Sequence, residues 1–355
     1  MPRNPIAGQT LTINHPLTDS TSLNESLTLQ TFPLVDPSST QVLLKLLAAP
    51  INPLDIHVLA GRYPIKPRHT LNASPIPGFD GVARVLKVGS SVTELKEGNL
   101  VIPKSYGLGT WRTHALVEAS DVVKVKSGTN VLFASILKTV VLPAYFLVED
   151  MKALEKGDWV VQNAGSSAIA QTVAQFARLK GARTVSIIRD RPDEAAGREA
   201  KVALTAFMDV VLEEKEFIPA EVADGRKIVL ALDSVWGSSA RQIASAMSNG
   251  AVFVNYGQFG GGGPDSAIQL THRDIFWKAG VFRSFRTTAQ AAQRSEKELA
   301  DLLAWFVDLF EARQLRLPRH REIKWNVEDS ENLIEAVADA VKMERNSTKS
   351  ILIFE

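Results

Sequence analysis

Apolar and polar positions fall into two textures that change near Val131. From about Gln41 to Val123, short apolar runs are broken by Gly and Pro. QVLLKLLAAPIN reads as a buried strand entering a Pro-marked turn, GVARVLKVGSSV and NLVIP as strands, and DVVKVKSG as a closing strand. A short helix fits between Leu54 and Leu59. Beyond Val131 strands and helices alternate: WVVQNAG, an Ala-rich helix Ile169 to Lys180, and TVSIIRD. A helix around Ala195 to Ala206, DVVLEE, KIVLALDSV, a helix near Ser239 to Met247, and AVFVNYG continue the series. Continuous Val/Ile/Leu strands separated by helices are what a parallel sheet covered on both faces requires. Leu299, Leu302, Leu303, Phe306 and Phe310 recur at helical spacing and predict a helix from Glu296 to Arg313.

The tail contains EIKWNV, a helix Ser330 to Lys342, and the strand KSILIFE. It has no domain-sized core and is expected to return to the first domain. The fold class is therefore α/β. A β-rich domain over 1–139, completed by 312–355, joins a doubly wound parallel-sheet domain over 140–311. A chain of 355 residues suits two such cores. GQFGGGG is expected to be a flexible loop.

Composition narrows the function classes. A net charge of +1 gives no global field for nucleic acid or a membrane surface, and no apolar run is long enough to span a bilayer. The absence of cysteine excludes disulfides, thiolate zinc sites and thiol nucleophiles. His15, His57, His69, His114, His272 and His320 are scattered without metal-ligand spacing, so no metal is expected. The N-terminus carries Asp19 and Glu25 and lacks an apolar core, a poor match to a transit peptide, which leaves a cytoplasmic location open.

WVVQN runs into Ala164-Gly165-Ser166-Ser167-Ala168-Ile169-Ala170 and then a helix. Small residues let backbone approach a pyrophosphate, and a helix N-terminus supplies free N–H groups. Only Gly165 survives from GxGxxG, so a plain strand-to-helix turn is the competing reading; the βαβ context favours nucleotide. The next strand ends in Arg189-Asp190-Arg191, where a ribose-reading residue belongs. Two arginines suit a 2′-phosphate and point to NADPH, while Asp190 keeps NADH open. Tyr256 and Gly257, closing AVFVNYG, are further candidates for cofactor contact.

Pro50-Ile51-Asn52-Pro53-Leu54-Asp55-Ile56-His57 and Ala60-Gly61-Arg62-Tyr63-Pro64-Ile65-Lys66-Pro67 resemble the NPxDI…GxYPxKP region of mitochondrial 2-enoyl thioester reductases. These are zinc-free members of the medium-chain dehydrogenase/reductase superfamily. The runs GTWRTHA from Gly109, QNxGxSA from Gln162 and Ile188-Arg189-Asp190-Arg191-Pro192 match in the same order. The resemblance implies a GroES-like catalytic domain, a Rossmann domain, NADPH, an acyl-CoA or acyl carrier protein thioester as substrate, a homodimer, and a mitochondrial location. It also implies that Tyr63 is the key tyrosine. A phenol aimed at the thioester oxygen, or protonating Cα, lowers the barrier to hydride addition at Cβ.

Asn52 either orients Tyr63 or the nicotinamide ribose, or caps the turn before Pro53. Trp111 and Arg112 read as a cofactor wall and phosphate contact, or as core and rim. Arg62, Lys66 and Arg68 either meet coenzyme A phosphates or an acidic carrier protein, or form a solvated surface. Phe282, Arg283 and Phe285 stand where the family's GFWVTE segment borders the acyl chain. Val140-Val141 replaces a family Asn-Pro, and Ser234 and Trp236-Gly237 also depart from the family pattern. These departures keep two other functions open: a quinone or enone reductase of the same fold, and a non-catalytic NADPH-binding protein.

Overall fold

A computed structural model describes residues 7–18, 22–258, 266–328, 330–344 and 348–355. Most of the Gly-rich run expected as a loop lies at 259–265, outside the described residues, as does Asp19. The chain divides into two units. The first comprises Met1–Thr139, Ala300–Asp308 and Arg319–Glu355; the second comprises Val140–Leu299 and Leu309–Pro318. Residues 300–308, expected with the sheet-and-helix domain, thus group with the first unit, and 312–318 group with the second.

The first unit is built on the strand Gln41–Pro50, whose apolar residues are mostly buried. The sheet order is His320–Trp325, Lys349–Phe354, Gln41–Pro50, Val82–Val88, Leu100–Pro103 and Val122–Lys124, with His114–Glu118 also paired to Gln41–Pro50. The tail contributes two parallel strands with the helix Leu333–Glu344 between them in sequence. A parallel pair needs such a crossover because a tight turn cannot reverse the chain twice. Ala7–Ile13 and Leu27–Pro33 form an antiparallel pair that the apolar pattern does not announce. Thr10 and Thr12 are fully buried there, and their hydroxyls bond to Leu11 O and Thr28 O at 3.0 and 3.3 Å.

The second unit is a six-stranded sheet with every neighbour parallel. Its order is Val210–Glu213, Arg183–Ile188, Trp159–Gln162, Ile228–Asp233, Val252–Asn255 and Val281–Ser284. Numbered along the chain this is 3-2-1-4-5-6, the dinucleotide-binding order, which reverses between Trp159–Gln162 and Ile228–Asp233. Ala170, Val173, Ala174 and Ala177 of the helix Ala168–Leu179 are fully buried. The last strand and the helix Leu142–Glu149 are additions to the elements read from sequence.

Trp325 fastens the tail to the N-terminal hairpin. It is fully buried, its Nε1 donates to Gln9 Oε1 at 2.9 Å, and its ring lies 5.1 Å from that of Phe354. Trp325→Phe leaves the buried Gln9 oxygen without this donor, a loss of about 1–3 kcal/mol. Urea unfolding should show a lowered midpoint with an unchanged slope. An unchanged midpoint would show that this contact does not hold the tail.

Candidate active site

The nucleotide half is built at the carboxyl ends of the second unit's strands. Ala164, with φ of +46°, turns the chain out of Trp159–Gln162. Gly165 follows, and its N–H donates to Ile187 O at 2.7 Å. A Cβ on Gly165 would fall 2.9 Å from Ser186 Cβ and 3.0 Å from Ile187 O, so only glycine lets the turn lie against the neighbouring strand. Ser167 caps the helix, accepting from Ala170 N at 3.2 Å. Ser166, Ser167, Ala168 and Ile169 are partly open to solvent at this helix start. The Tyr256 hydroxyl is buried beside Ser234 and Ser167 without a well-aligned hydrogen bond. Burial raises its pKa and keeps it a neutral donor. An orphaned donor beside a helix N-terminus fits a nucleotide phosphate or ribose. Gly257 is half-buried next to it.

At the point where strand order reverses lies a polar network that the sequence pattern does not announce. Asn163 Nδ2 donates to Asp233 Oδ1 at 2.6 Å, and Asn255 Nδ2 donates to Asp233 Oδ2 at 2.7 Å. Asn163 Oδ1 accepts from Ser234 N at 2.8 Å. These bonds tie together the ends of three adjacent strands. The available signal was a polar residue closing each of WVVQN, KIVLALD and AVFVN.

Beyond Ile188, Arg189 is exposed and Arg191 half-buried. Asp190 Oδ1 accepts from Lys215 N at 2.9 Å, and Arg191 N donates to the buried Glu213 at 2.9 Å. Asp190, between Arg189 and Arg191 in sequence, is thereby engaged in fixing the turn.

The first unit holds Tyr63. Helix Pro53–Leu59 ends in Ala60 and Gly61, and the N–H groups of Arg62 and Tyr63 both return to His57 O, at 2.9 and 3.1 Å. Tyr63 is half-buried and meets Phe79 edge-on at 5.7 Å. Phe79 in turn stacks on Tyr106, and the Lys138 ammonium lies 5.3 Å from the Tyr106 ring centre. Asp80 anchors this wall, accepting from Gly81 N, Lys138 N, Thr139 N and Thr139 Oγ1. Burial pushes Lys138 down to about 8 and Asp80 up to about 6. The Tyr63 phenol is pushed above its usual value, first by burial and then by the charge of Asp55. It therefore stays protonated at neutral pH, and no described residue is hydrogen-bonded to its hydroxyl.

Asn52 is buried and its amide is engaged: Nδ2 donates to Asp55 Oδ2 at 3.0 Å, and Oδ1 accepts from Lys349 Nζ at 2.8 Å. Arg62 and Lys66 are exposed, Lys66 donating to Gly61 O at 2.9 Å, and Arg68 pairs with Asp121 at 2.7 Å. Trp111 is fully buried against Gly78 in the core of the first unit, which favours the core alternative of its sequence reading over the cofactor wall. Phe282 packs on Phe253 at 5.4 Å and Phe285 is buried, both within the second unit, while Arg283 is exposed on its edge strand. Among the described residues, no group of three or more His, Asp or Glu side chains is arranged to hold a metal ion.

Residues 38–127 match the alcohol dehydrogenase GroES-like domain. The mitochondrial enoyl-acyl-carrier-protein reductase of Homo sapiens is 32% identical over 301 residues, 84% of this chain and 78% of that protein. The chain belongs to the enoyl-acyl-carrier-protein reductase family. Solved members have the same fold. The Etr1p/NADP/crotonyl-CoA complex matches with a TM-score of 0.85 at 26% identity, covering 98% of this chain and 100% of that one. The mitochondrial 2-enoyl thioester reductase Etr1p/Etr2p heterodimer from Candida tropicalis matches with a TM-score of 0.83 at 27% identity, with the same coverage. The expected fold class, a GroES-like domain with a Rossmann sheet, is the family's.

Within this reductase the Gly165 turn has a direct test. Gly165→Val drives side-chain atoms into Ser186 and Ile187, so the helix start must move. NADPH binding, followed by quenching of protein fluorescence, should weaken by about tenfold or more. Unaltered binding would show that this turn does not shape the nucleotide site.

Proposed function

We propose that this chain reduces the 2,3 double bond of trans-2-enoyl thioesters with NADPH, and that Tyr63 is the proton donor or enolate stabiliser. The observation carrying this reading is the Tyr63 phenol, half-buried, held protonated, and hydrogen-bonded by no described residue. NADPH supplies a hydride to Cβ. As the carbon–carbon π bond breaks, its electron pair moves toward the thioester oxygen. A neutral phenol there stabilises that charge by hydrogen bonding, and the Cα–H bond then forms with a proton from the phenol or from water. Phe79 and Tyr106 form the apolar wall that supports the ring, and the Asp80 anchor fixes Phe79. Gly165 to Ile169 would hold the pyrophosphate, Tyr256 and Gly257 would flank it, and Arg189 and Arg191 would take the 2′-phosphate. Asp190, engaged with Lys215, supports NADPH over NADH.

The kinship supports a mitochondrial setting and a CoA or acyl carrier protein thioester as partner. Arg62 and Lys66, exposed beside Tyr63, suit the phosphates or acidic face of such a carrier. No helix among the described residues is long and apolar enough to cross a membrane.

Tyr63→Phe should lower kcat/KM for crotonyl-CoA by about 10²–10⁴-fold while leaving NADPH affinity intact. Undiminished turnover would remove Tyr63 from the chemistry. Turnover of a simple quinone alone, indifferent to the substitution, would favour the quinone reductase reading.

The homodimer is implied by the resemblance and by an apolar AVFVNYG edge. Val252–Asn255 lies inside the sheet, and the strand with one neighbour among the described residues is Val281–Ser284, with exposed Ile275, Phe276 and Trp277 nearby in sequence. An open strand edge with apolar residues is a template for pairing with a second copy. Sedimentation should show a dimer that Phe276→Glu with Trp277→Glu converts to monomer. A monomeric wild type would contradict the pairing.

A further inference from the structure

The first unit contains a pocket of about 210 Å³ whose walls include Phe32, Leu43, His69, Ile76 and Arg112. None of Tyr63, Phe79, Tyr106 or Lys138 lines it. One wall depends on Gly8, where a Cβ would lie 2.5 Å from the Phe32 ring, so the missing side chain lets that ring close down. Most of the lining is apolar; His69, Thr70 and Arg112 are the polar members, and Arg112 alone among them carries a charge at neutral pH.

Arg112 is 6% exposed. Its Nη2 donates to Leu108 O at 2.9 Å, but its Nε is buried without a partner. Among the described residues it has no carboxylate partner, and Asp121 is already paired with Arg68. Burial alone drags the Arg112 pKa down, to about 10, with no neighbouring negative charge opposing it. The group still carries its proton at neutral pH. His69 does not restore balance as a counter-charge: burial first, then Arg112 and Arg68, push it down to about 4, so it is neutral. A buried guanidinium without a counter-ion is costly, and an incoming anion would relieve that cost.

We propose that this pocket binds a short aliphatic carboxylate, with its headgroup on Arg112 and its tail against Phe32, Leu43 and Ile76. The apolar walls argue for a hydrocarbon tail, since an inorganic anion would leave them unused. The volume falls below the roughly 300–1,000 Å³ of pockets that take drug-sized ligands, which excludes a nucleotide or coenzyme. A guanidinium matches a carboxylate by charge-assisted hydrogen bonds, whereas an amide of the same shape gains none of that charge. The pocket uses none of Tyr63, Gly165 to Ile169, Arg189, Arg191, Tyr256 or Gly257, and a carboxylate here takes the place of the phosphate contact that the sequence left open for Arg112.

The test is calorimetric titration of the full chain with hexanoate and hexanamide, alone and with saturating NADP⁺ and crotonyl-CoA. Hexanoate should bind at least about tenfold more tightly than hexanamide. Its affinity should be the same with the nucleotide and thioester present. Arg112→Met should abolish the preference for the acid. Val35→Trp, at the exposed rim of the pocket, should weaken hexanoate binding while leaving Arg112 in place. No binding, equal affinity for the amide, displacement by crotonyl-CoA, or indifference to Val35→Trp would each overturn the proposal.

Discussion

The ammonium of Lys349, 4% exposed in the last strand, donates to Ile51 O at 2.6 Å and Asn52 Oδ1 at 2.8 Å. A lysine can be buried only where such bonds and a nearby opposite charge replace its water. Asp55, one link away, supplies that charge in its ionised form, with Oδ2 accepting from Asn52 N at 2.8 Å and Asn52 Nδ2 at 3.0 Å. Burial pushes Asp55 up to about 7, while the Asn52 bonds and Lys349 oppose the shift. Backbone pairing secures the same junction: Ile51 N donates to Ser350 O at 2.9 Å, and Ile351 pairs with Pro50. The start of helix Pro53–Leu59 is thus fixed from two directions, and its end at His57 O holds the backbone of Tyr63. The tail is therefore part of the site's foundation.

The two units divide the chemistry by the kind of group each can hold still. A parallel sheet gathers strand ends and helix starts at one edge, and that edge favours anions. Here Asp233 binds Asn163 and Asn255 across that edge, so the strand ends keep their spacing. The GroES-like unit instead presents a phenol on an apolar wall. Low polarity around Tyr63 disfavours phenolate, so the phenol keeps its proton at neutral pH.

The strands of the parallel sheet are legible in the sequence because they are nearly continuous Val, Ile and Leu. The short helix ahead of Tyr63 was legible from Asn52-Pro53, a strong helix-start signal. The N-terminal hairpin was not, because Thr10 and Thr12 are buried polar residues that erase apolar alternation. The edge strand Val281–Ser284 was hidden by its exposed Arg283 and Ser284. Trp111 reads as wall or core because its neighbours in sequence belong to a recognisable run that does not fix where the ring points. Its burial depends on Gly78, where a Cβ would sit 2.5 Å from the indole, and one-dimensional spacing does not carry that contact. The engagement of Asn52 with Lys349 was equally invisible, since 297 residues separate the partners.

The most direct measurement of the central claim is the position of deuterium in the product of crotonyl-CoA and 4-deuterated NADPH in ordinary water, read by mass spectrometry and NMR. Deuterium at Cβ of butyryl-CoA, with hydrogen from solvent at Cα, is the expected result. NADPH oxidation without a saturated thioester, or deuterium at any other carbon, would contradict conjugate reduction at this site.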